Sequence, residues 1–477
     1  MRELGVGLVY WSDLAPLFED VELVGVLELE PQTLWEKVVG PHGLCYRGND
    51  ALLQRVAQLP QAKLLHGVAQ PVGGSADDPL EYIALWKRAV EVLDPAWVSE
   101  HLSFNRVRRG AHIEEAGFLL PPRQSPAGVA NAVRNIERLS QALERPLAFE
   151  TGVNYLQRRA DELDDGTFFG AVAERAHCGI LLDLHNLWCN ERNGRQRVSE
   201  VLARLPLDQV WEIHLAGGME LDGFWLDAHS GLVPPEVVDL AAGIIPLLPN
   251  LGALIFEILP EHLPRIGVDA VHRQLDVLHA LWRLRSSRRV VARDARAPQG
   301  LESCGLGNAE QHDDVEAWET ALGEALRGRT VRDARFADLR DDPGVAVLHQ
   351  LIGDARRSSL ARVLRYTTTL LLIHLGPNEV RALLDAYFRE QAPDPFTALE
   401  ADYFARFLRS RAELVEHLPY LAETLAFEDA LVRATVYGTA TDLAWSTDPT
   451  ALFAELENGR APVGLPSVHS AMRVCAE

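Results

Sequence analysis

Residues 179–186 read GILLDLHN and residues 211–218 read WEIHLAGG. Each is a short apolar run that ends on an acid or a histidine. Working outward, LLHGVA (64–69), VSEHLSF (98–104), LAFETG (147–152) and LIFEIL (254–259) repeat the design, and the loop-like LDAHSG (226–231) precedes the last of them. The runs recur roughly every 30–45 residues, the length of one strand–helix unit. With the apolar runs nearer the N-terminus they predict eight strands: Gly5–Val9, Val24–Glu30, Lys63–His66, Trp97–Leu102, Leu147–Glu150, Gly179–Leu184, Gln209–Leu215 and Ala253–Leu259. Amphipathic stretches fall between them, among them Pro79–Leu93, Ala127–Glu144, Asp161–Ala176 and Pro235–Leu247. Eight alternations predict an α/β fold, a TIM-type (β/α)8 barrel. A doubly wound sheet would more often carry a glycine-rich phosphate loop after its first strand, and GVGLVYWSDL (5–14) has no GxGxxG.

The chain has 477 residues, enough for a barrel and a smaller domain. The barrel is expected over 1–285. Residues 283–308, RLRSSRRVVARDARAPQGLESCGLGN, break the alternation, so 286–314 reads as a linker. Residues 315–477 read as a mostly α-helical domain. There Leu383, Leu384, Tyr387 and Phe388 share one helical face, as do Phe404, Phe407, Leu408 and Leu414, and then Leu421, Leu425, Leu431 and Val432. The last twenty residues show little periodicity. A net charge of −22 argues against nucleic acid and against an anionic membrane surface. No apolar run is long enough to span a bilayer, and no signal peptide is visible. Five scattered cysteines, Cys45, Cys178, Cys189, Cys304 and Cys475, without a CxxC, suit reduced thiols in the cytoplasm.

A closed parallel barrel gathers its reacting groups at the C-terminal strand ends and the loops that follow. That rule brings His66, His101, Glu150, Asp183, Asn186, His214, Asp227, His229 and Glu257 to one rim. Nine nitrogen and oxygen ligands are too many for one ion, so two or three are expected. Imidazole and carboxylate without thiolate suit iron, manganese or zinc. Each residue has a plainer use: His214 as a core histidine, Asp183 and Asn186 as turn residues, Glu150 and Glu257 as salt-bridge partners of arginine. Their conjunction on one rim favours ligation. Glu100 and His185 stand beside ligand positions as candidate supporting residues, and Cys189 reads as an inert buried thiol.

The ordered set HGV, SEHLSF, FET, LLDLHN, EIHLAGG, DAHSG and FEIL resembles the multinuclear non-haem iron-dependent oxidative enzymes, the group that includes the methanobactin-maturation oxidase. The resemblance covers roughly residues 5–280. It implies two or three irons with a mixed-valent Fe(II)/Fe(III) pair and O2 as co-substrate. It also implies a ribosomally made precursor peptide as the substrate, modified most often at cysteine, and it matches the nine residues above to ligand positions. Departures lie beside the ligands. Glu100 stands where the family usually has Asp, Thr151 follows Glu150 in place of Asn, AGG replaces AGH, and the second strand reads ELEPQT. Residues 360–434 resemble the helical partner proteins that accompany these oxidases as separate chains, which implies a fused peptide-recruiting domain. Two other readings remain open: a zinc or manganese TIM-barrel hydrolase or sugar isomerase, and a non-catalytic peptide-binding scaffold.

Overall fold

The computed structural model describes residues 1–40, 43–110, 112–285 and 308–475. Eight parallel strands close into a barrel: β1 (Gly5–Val9), β2 (Val26–Leu29), β3 (Ala62–Gly67), β4 (Val98–His101), β5 (Leu147–Glu150), β6 (Gly179–Asp183), β7 (Val210–Ala216) and β8 (Ala253–Glu257). They run in chain order around the ring, and β8 pairs with β1 (Val6 opposite Leu254). The expected (β/α)8 fold is the fold observed. The strand limits agree with the expected ones to within two residues, and Gly5–Val9 and Leu147–Glu150 match them outright.

Helices lie between the strands: α1 (Asp50–Gln58), α2 (Leu80–Leu93), α3 (Pro126–Leu143), α4 (Asp165–Ala176), α5 (Leu184–Arg192), α6 (Pro235–Ile244) and α7 (Val268–Trp282). Local chemistry starts several of them. Ser125 caps α3 by accepting from Gly128 N–H at 3.2 Å, and Asp164 caps α4 by accepting from Thr167 N–H at 3.0 Å.

Side chains alternate across a strand, so every second residue faces the barrel axis. Val9, Val26, Leu64, Trp97, Ala148, Leu181, Ala253 and Ile255 form one apolar cluster. Gly7 leaves room for it, because a Cβ there would lie 2.7 Å from Ile255 Cδ1 and 2.5 Å from the Val26 carbonyl oxygen. Two residues on, the same parity delivers Glu28, His66, Glu150, Asp183 and Glu257. A hydrophobic floor therefore sits under a polar layer.

Contacts divide the chain into two compact units. The first comprises Met1–Trp35, Gly48–Ile113 and Leu119–Leu348, and the second Glu36–Arg47, Glu114–Phe118 and His349–Glu477. Of the expected linker, 286–307 lies outside the described residues. Residues 308–314 begin a helix, α8 (Asn308–Leu326), which belongs to the barrel unit. Glu319 on α8 accepts from Ser75 N–H at 2.7 Å and lies 2.5 Å from Ser75 Oγ, so it fixes the loop after β3.

Burial pushes the Glu319 carboxyl up to about 8, against the lowering effect of the Ser75 hydrogen bonds. The folded chain thus favours the neutral acid. This stability is full below about 4.5 and is lost as pH rises through about 8. Glu319→Gln, always neutral, should raise Tm by roughly 3–8 °C at pH 9 and hardly at pH 4. Melting curves across that range check it, and an equal shift at both pH values would contradict the assignment.

The second unit is mostly helical: α9 (Arg365–Leu375), α10 (Pro377–Glu390), α11 (Thr397–Arg409) and α12 (Leu421–Tyr437). Leu360, Leu371, Leu384, Tyr387, Phe404, Leu408, Leu421, Leu425 and Val432 meet in its core. Leu431, expected on that face, is 46% exposed, because Ala430 and Val432 on either side take the buried directions. Arg356 Nε donates to Glu400 at 2.7 Å inside this unit, and Lys37 pairs with Asp394 at 2.8 Å. The tail is not aperiodic. Ser467–Val474 forms a strand antiparallel to Thr441–Thr447. Its partner lies some twenty residues upstream across another helix, so no local turn signal marks the pair.

Candidate metal centre

β3 and β4 bring His66 and His101 side by side, with ring centroids 4.6 Å apart. Their outer nitrogens converge on β5: Glu150 Oε2 lies 3.2 Å from His66 Nε2 and 2.8 Å from His101 Nε2. The inner nitrogens are engaged elsewhere. His66 Nδ1 lies 2.9 Å from Ser99 Oγ, and His101 Nδ1 lies 2.8 Å from the Gly67 carbonyl oxygen. A carbonyl only accepts, so Nδ1 of His101 carries a proton, and Nε2, which faces Glu150, is the nitrogen that a metal would take once its own proton is lost.

Asp183 ends β6 and also starts α5. Its Oδ1 accepts from Asn186 N–H at 2.7 Å as the helix cap. That bond places Asn186 one turn on, where its Nδ2 donates to Glu150 Oε1 at 3.2 Å. On β7, His214 Nδ1 lies 3.2 Å from Glu257 Oε1 of β8, and His214 Nε2 lies 3.0 Å from Glu28 Oε1 of β2. His229, in the loop after β7, puts Nε2 3.2 Å from Asp227 Oδ1 and 3.4 Å from Glu257 Oε2. His229 adopts φ 44°, a left-handed backbone uncommon for a non-glycine residue.

All nine expected residues thus lie in one connected cluster. Among the described residues, three groups have ligand atoms mutually within 4.8 Å: His66, His101 and Glu150; Glu150, Asp183 and His214; Glu28, His214 and Glu257. Glu150 belongs to two groups, as a bridging carboxylate would.

The electrostatics are those of opposite charges forced together out of water. Burial raises the Glu150 carboxyl, but His101 and His66 outweigh it and hold it well below the usual range. Burial lowers the imidazoles, yet Glu150 and Glu100 lift His101, Glu257 and Glu28 lift His214, and Asp227 and Glu257 lift His229, each well above 6.5. Asp183 moves the other way. Burial and then the charges of Asp227, Glu150 and Glu257 push it well above its usual value.

Among the described residues, buried Asp183 Oδ2 and Asn186 Oδ1 have no hydrogen-bond partner, while Glu150 Oε2, Glu257 Oε2 and both ring nitrogens of His214 meet opposite charges without a well-aligned hydrogen bond. Buried polar atoms are ordinarily satisfied, because an orphan costs about 1–3 kcal/mol. Here these atoms share one small volume and all are metal ligands by type. The residues present fit a metal cluster.

The supporting residues resolve into distinct tasks. Glu100 points away from the barrel axis, where its buried carboxylate accepts from His101 N–H at 2.9 Å and Gln70 N–H at 3.1 Å. His185 is saturated: Nδ1 faces Asp227 Oδ1 at 3.0 Å and Nε2 accepts from Trp225 Nε1 at 3.1 Å. Cys189 is buried with its thiol pushed up by burial, as befits an inert group. Gly218, the site of the AGG departure, has no room for a side chain. A Cβ there would lie 2.5 Å from Trp225 Nε1 and 2.9 Å from His185 Nε2. Thr151, the other departure, accepts from Asp183 N–H through Oγ1 at 3.0 Å.

Three carboxylates escaped the sequence reading, among them Glu30, which burial raises and the charges of His66, His101 and His229 lower. Glu28 faces the centre from β2, and burial pushes it up to about 8. Glu212 lies one interior layer below His214 and accepts from Trp97 Nε1 at 2.8 Å. Alternation in VLELE and WEIHL was the available signal, since all three share the inward parity of the ligand positions.

Known proteins give this centre a context. The chain is 31% identical over 244 residues to a UPF0276 protein of Anaeromyxobacter sp. (strain Fw109-5), covering 50% of this chain and 83% of that one. A UPF0276 protein of Chromobacterium violaceum is 33% identical over 211 residues, 44% of this chain and 75% of its own length. A D-psicose 3-epimerase structure from Clostridium cellulolyticum H10 covers 60% of this chain and 100% of its own at 12% identity and a TM-score of 0.39, which has no bearing on chemistry. The model of the RiPP precursor modification enzymes MbnB/TglH/ChrH matches residues 27–260, a span that begins in β2 and ends just past β8. At 31% identity over 83% of the Anaeromyxobacter protein and 33% over 75% of the Chromobacterium one, the chain belongs to the UPF0276 family.

Proposed function

We propose that the chain is a multinuclear iron-dependent oxidase that uses O2 to modify a ribosomally synthesised precursor peptide, with cysteine as the favoured target. The observation that carries the metal part of this reading is Glu150. One of its oxygens lies within 3.2 Å of both His66 and His101, and the residue is shared with the Asp183–His214 group. His66, His101 and Glu150 would hold one ion. Glu150, Asp183, His214 and Glu257 would hold a second, and Asn186, Asp227 and His229 supply donors for a third. Iron, when bound, supplies redox chemistry with O2 and an open position for a thiolate.

The chain's own residues do the rest. His101 keeps Nε2 aimed inward through the Gly67 carbonyl. Asn186 steadies the bridging Glu150, and Asp183 joins the centre to α5. The polar layer rests on the apolar floor of Val26, Leu64, Leu181 and Ile255, which closes the barrel to water from below. Within the same reading, the helical unit from His349 onward recruits the precursor peptide, which would make its encounter with the barrel intramolecular. The setting proposed is cytoplasmic. No helix among the described residues is long and apolar enough to cross a membrane.

The deciding experiment is anaerobic purification followed by elemental analysis, then O2 uptake and peptide mass spectrometry with a co-expressed cysteine-containing precursor. Two or three irons per chain and a peptide mass change that depends on O2 are expected. Zinc or manganese alone, with no O2 uptake, would overturn the iron reading in favour of a hydrolase or isomerase. A chain that binds no metal would leave the peptide-binding scaffold.

A further inference from the structure

The hairpin Met219–Leu221 and Phe224–Leu226 follows β7 and leads directly into Asp227 and His229. One residue anchors it to α5. Trp225 is held through its backbone by Asn193, whose Oδ1 accepts from Trp225 N–H at 2.8 Å and whose Nδ2 donates to the Trp225 carbonyl at 2.9 Å. Its ring packs edge-on against Trp188 at 5.2 Å, and the Arg192 guanidinium lies over it at 4.8 Å. So fixed, its indole N–H reaches His185 Nε2 at 3.1 Å.

An indole nitrogen can only donate. His185 Nε2 must therefore be the lone-pair nitrogen, and the ring proton of the neutral imidazole sits on Nδ1. That nitrogen lies 3.0 Å from Asp227 Oδ1, to which it donates. Asp227 is held a second time through its backbone N–H, which donates to Tyr155 Oη at 3.1 Å. Asp227 in turn lies 3.2 Å from His229 Nε2. Donor direction thus runs one way, from Trp225 through His185 to Asp227. His185 has no nitrogen left for a metal, although it sits at 0% exposure beside the centre.

We infer that Trp225 and His185 are positioning residues that fix the carboxylate of Asp227, and through it the loop bearing His229, for the metal bound on that side of the centre. The inference rests on the proposed metal-binding function. Outer partners of this kind orient a ligand and tune its affinity, and their loss costs about 10–100-fold in metal binding. A Cβ at Gly218 would meet the Leu226 carbonyl oxygen at 2.2 Å as well as Trp225 Nε1 and His185 Nε2, so a side chain there would push on the same arrangement.

The test uses the full chain, stripped of metal and titrated anaerobically with cobalt(II), read by stoichiometry and by visible absorption. Trp225→Phe keeps a ring against Trp188 and Arg192 and removes only the donor. It should weaken the last-filled cobalt site about 10–100-fold and alter its absorption, while the other sites fill normally. His185→Leu should do the same. His185→Gln can accept from Trp225 with its oxygen and donate to Asp227 with its nitrogen, so it should stay near wild type. A merely structural role would lower Tm and leave the cobalt spectrum unchanged, and that result, or equal loss in His185→Gln and His185→Leu, would overturn the inference. If Trp225→Phe does not fold, the His185 pair decides. Wild-type chain that takes up no cobalt at all would instead overturn the metal-binding function on which the inference rests.

Discussion

Glu150→Ala should leave less than one tightly bound metal ion per chain and lower peptide turnover on the order of 10³-fold, about 4 kcal/mol in the barrier. The size follows from sharing. Removing His66 alone disturbs one group of donors, whereas Glu150 stands in two of the three. Its Oε2 meets both His66 and His101, and its Oε1 receives the Asn186 amide. Alanine therefore unpairs two imidazoles and one amide at once, and it removes a carboxylate placed to bridge two cations. Glu150→Gln keeps one accepting oxygen and the local shape but loses the charge, so it should retain part of the metal and little turnover. Elemental analysis and single-turnover peptide assays measure both quantities. Full metal occupancy in Glu150→Ala would show that the two groups are independent and that no bridge exists.

Metal uptake should be steeply coupled to pH, and the coupling should show in stability as well. In the metal-free chain His101, His214 and His229 are held well above 6.5 by the carboxylates around them. A raised imidazole contributes stability in full below 6.5 and loses it as pH climbs through the higher folded value. Glu150 and Asp227 are depressed, chiefly by His101 and by His229 and His185 acting against burial. Their contribution is full above the ordinary carboxylate range and lost as pH falls through the folded value. The metal-free protein should therefore be most stable between about pH 4.5 and 6.5, the window in which both sets keep their charges.

A metal must displace the imidazole protons before it binds. Apparent affinity should then rise with pH by about one decade per unit for each proton released, up to three if all three imidazoles ligate. Ligand binding adds stability in proportion to its affinity. The Tm difference between loaded and metal-free chain should accordingly widen from pH 6 to pH 8. Paired melting curves, with and without a chelator, measure it. A constant difference would mean that the histidines give up no proton and are not ligands.

Much of this protein is legible from a sequence window no longer than one strand. Strand rise and the alternation of side chains are local, so LLHG, VSEH, LAFE, ILLD, EIHL and IFE each announce a strand and name the residue at its inner end. Eight such windows at regular spacing leave a parallel barrel as the economical solution, and a barrel rim collects what its strands end with. The two-stranded sheets Trp35–Gly40 with Gly43–Gly48, Phe104–Arg109 with His112–Leu120, and Thr441–Thr447 with Ser467–Val474 were not legible. Each depends on pairing between two segments, which no single window contains.

The sequence by itself determined the barrel and the nine residues at its rim, because both depend on the period-two geometry of one strand at a time. Tertiary structure decided how those residues are used. It made Glu150 common to two groups, brought Glu28 and Glu212 against His214, and gave the supporting residue His185 its partners Trp225 and Asp227. These outcomes hinge on which nitrogen or oxygen faces which neighbour across the barrel. That is a matter of distances between strands far apart in the chain, fixed only when the ring closes.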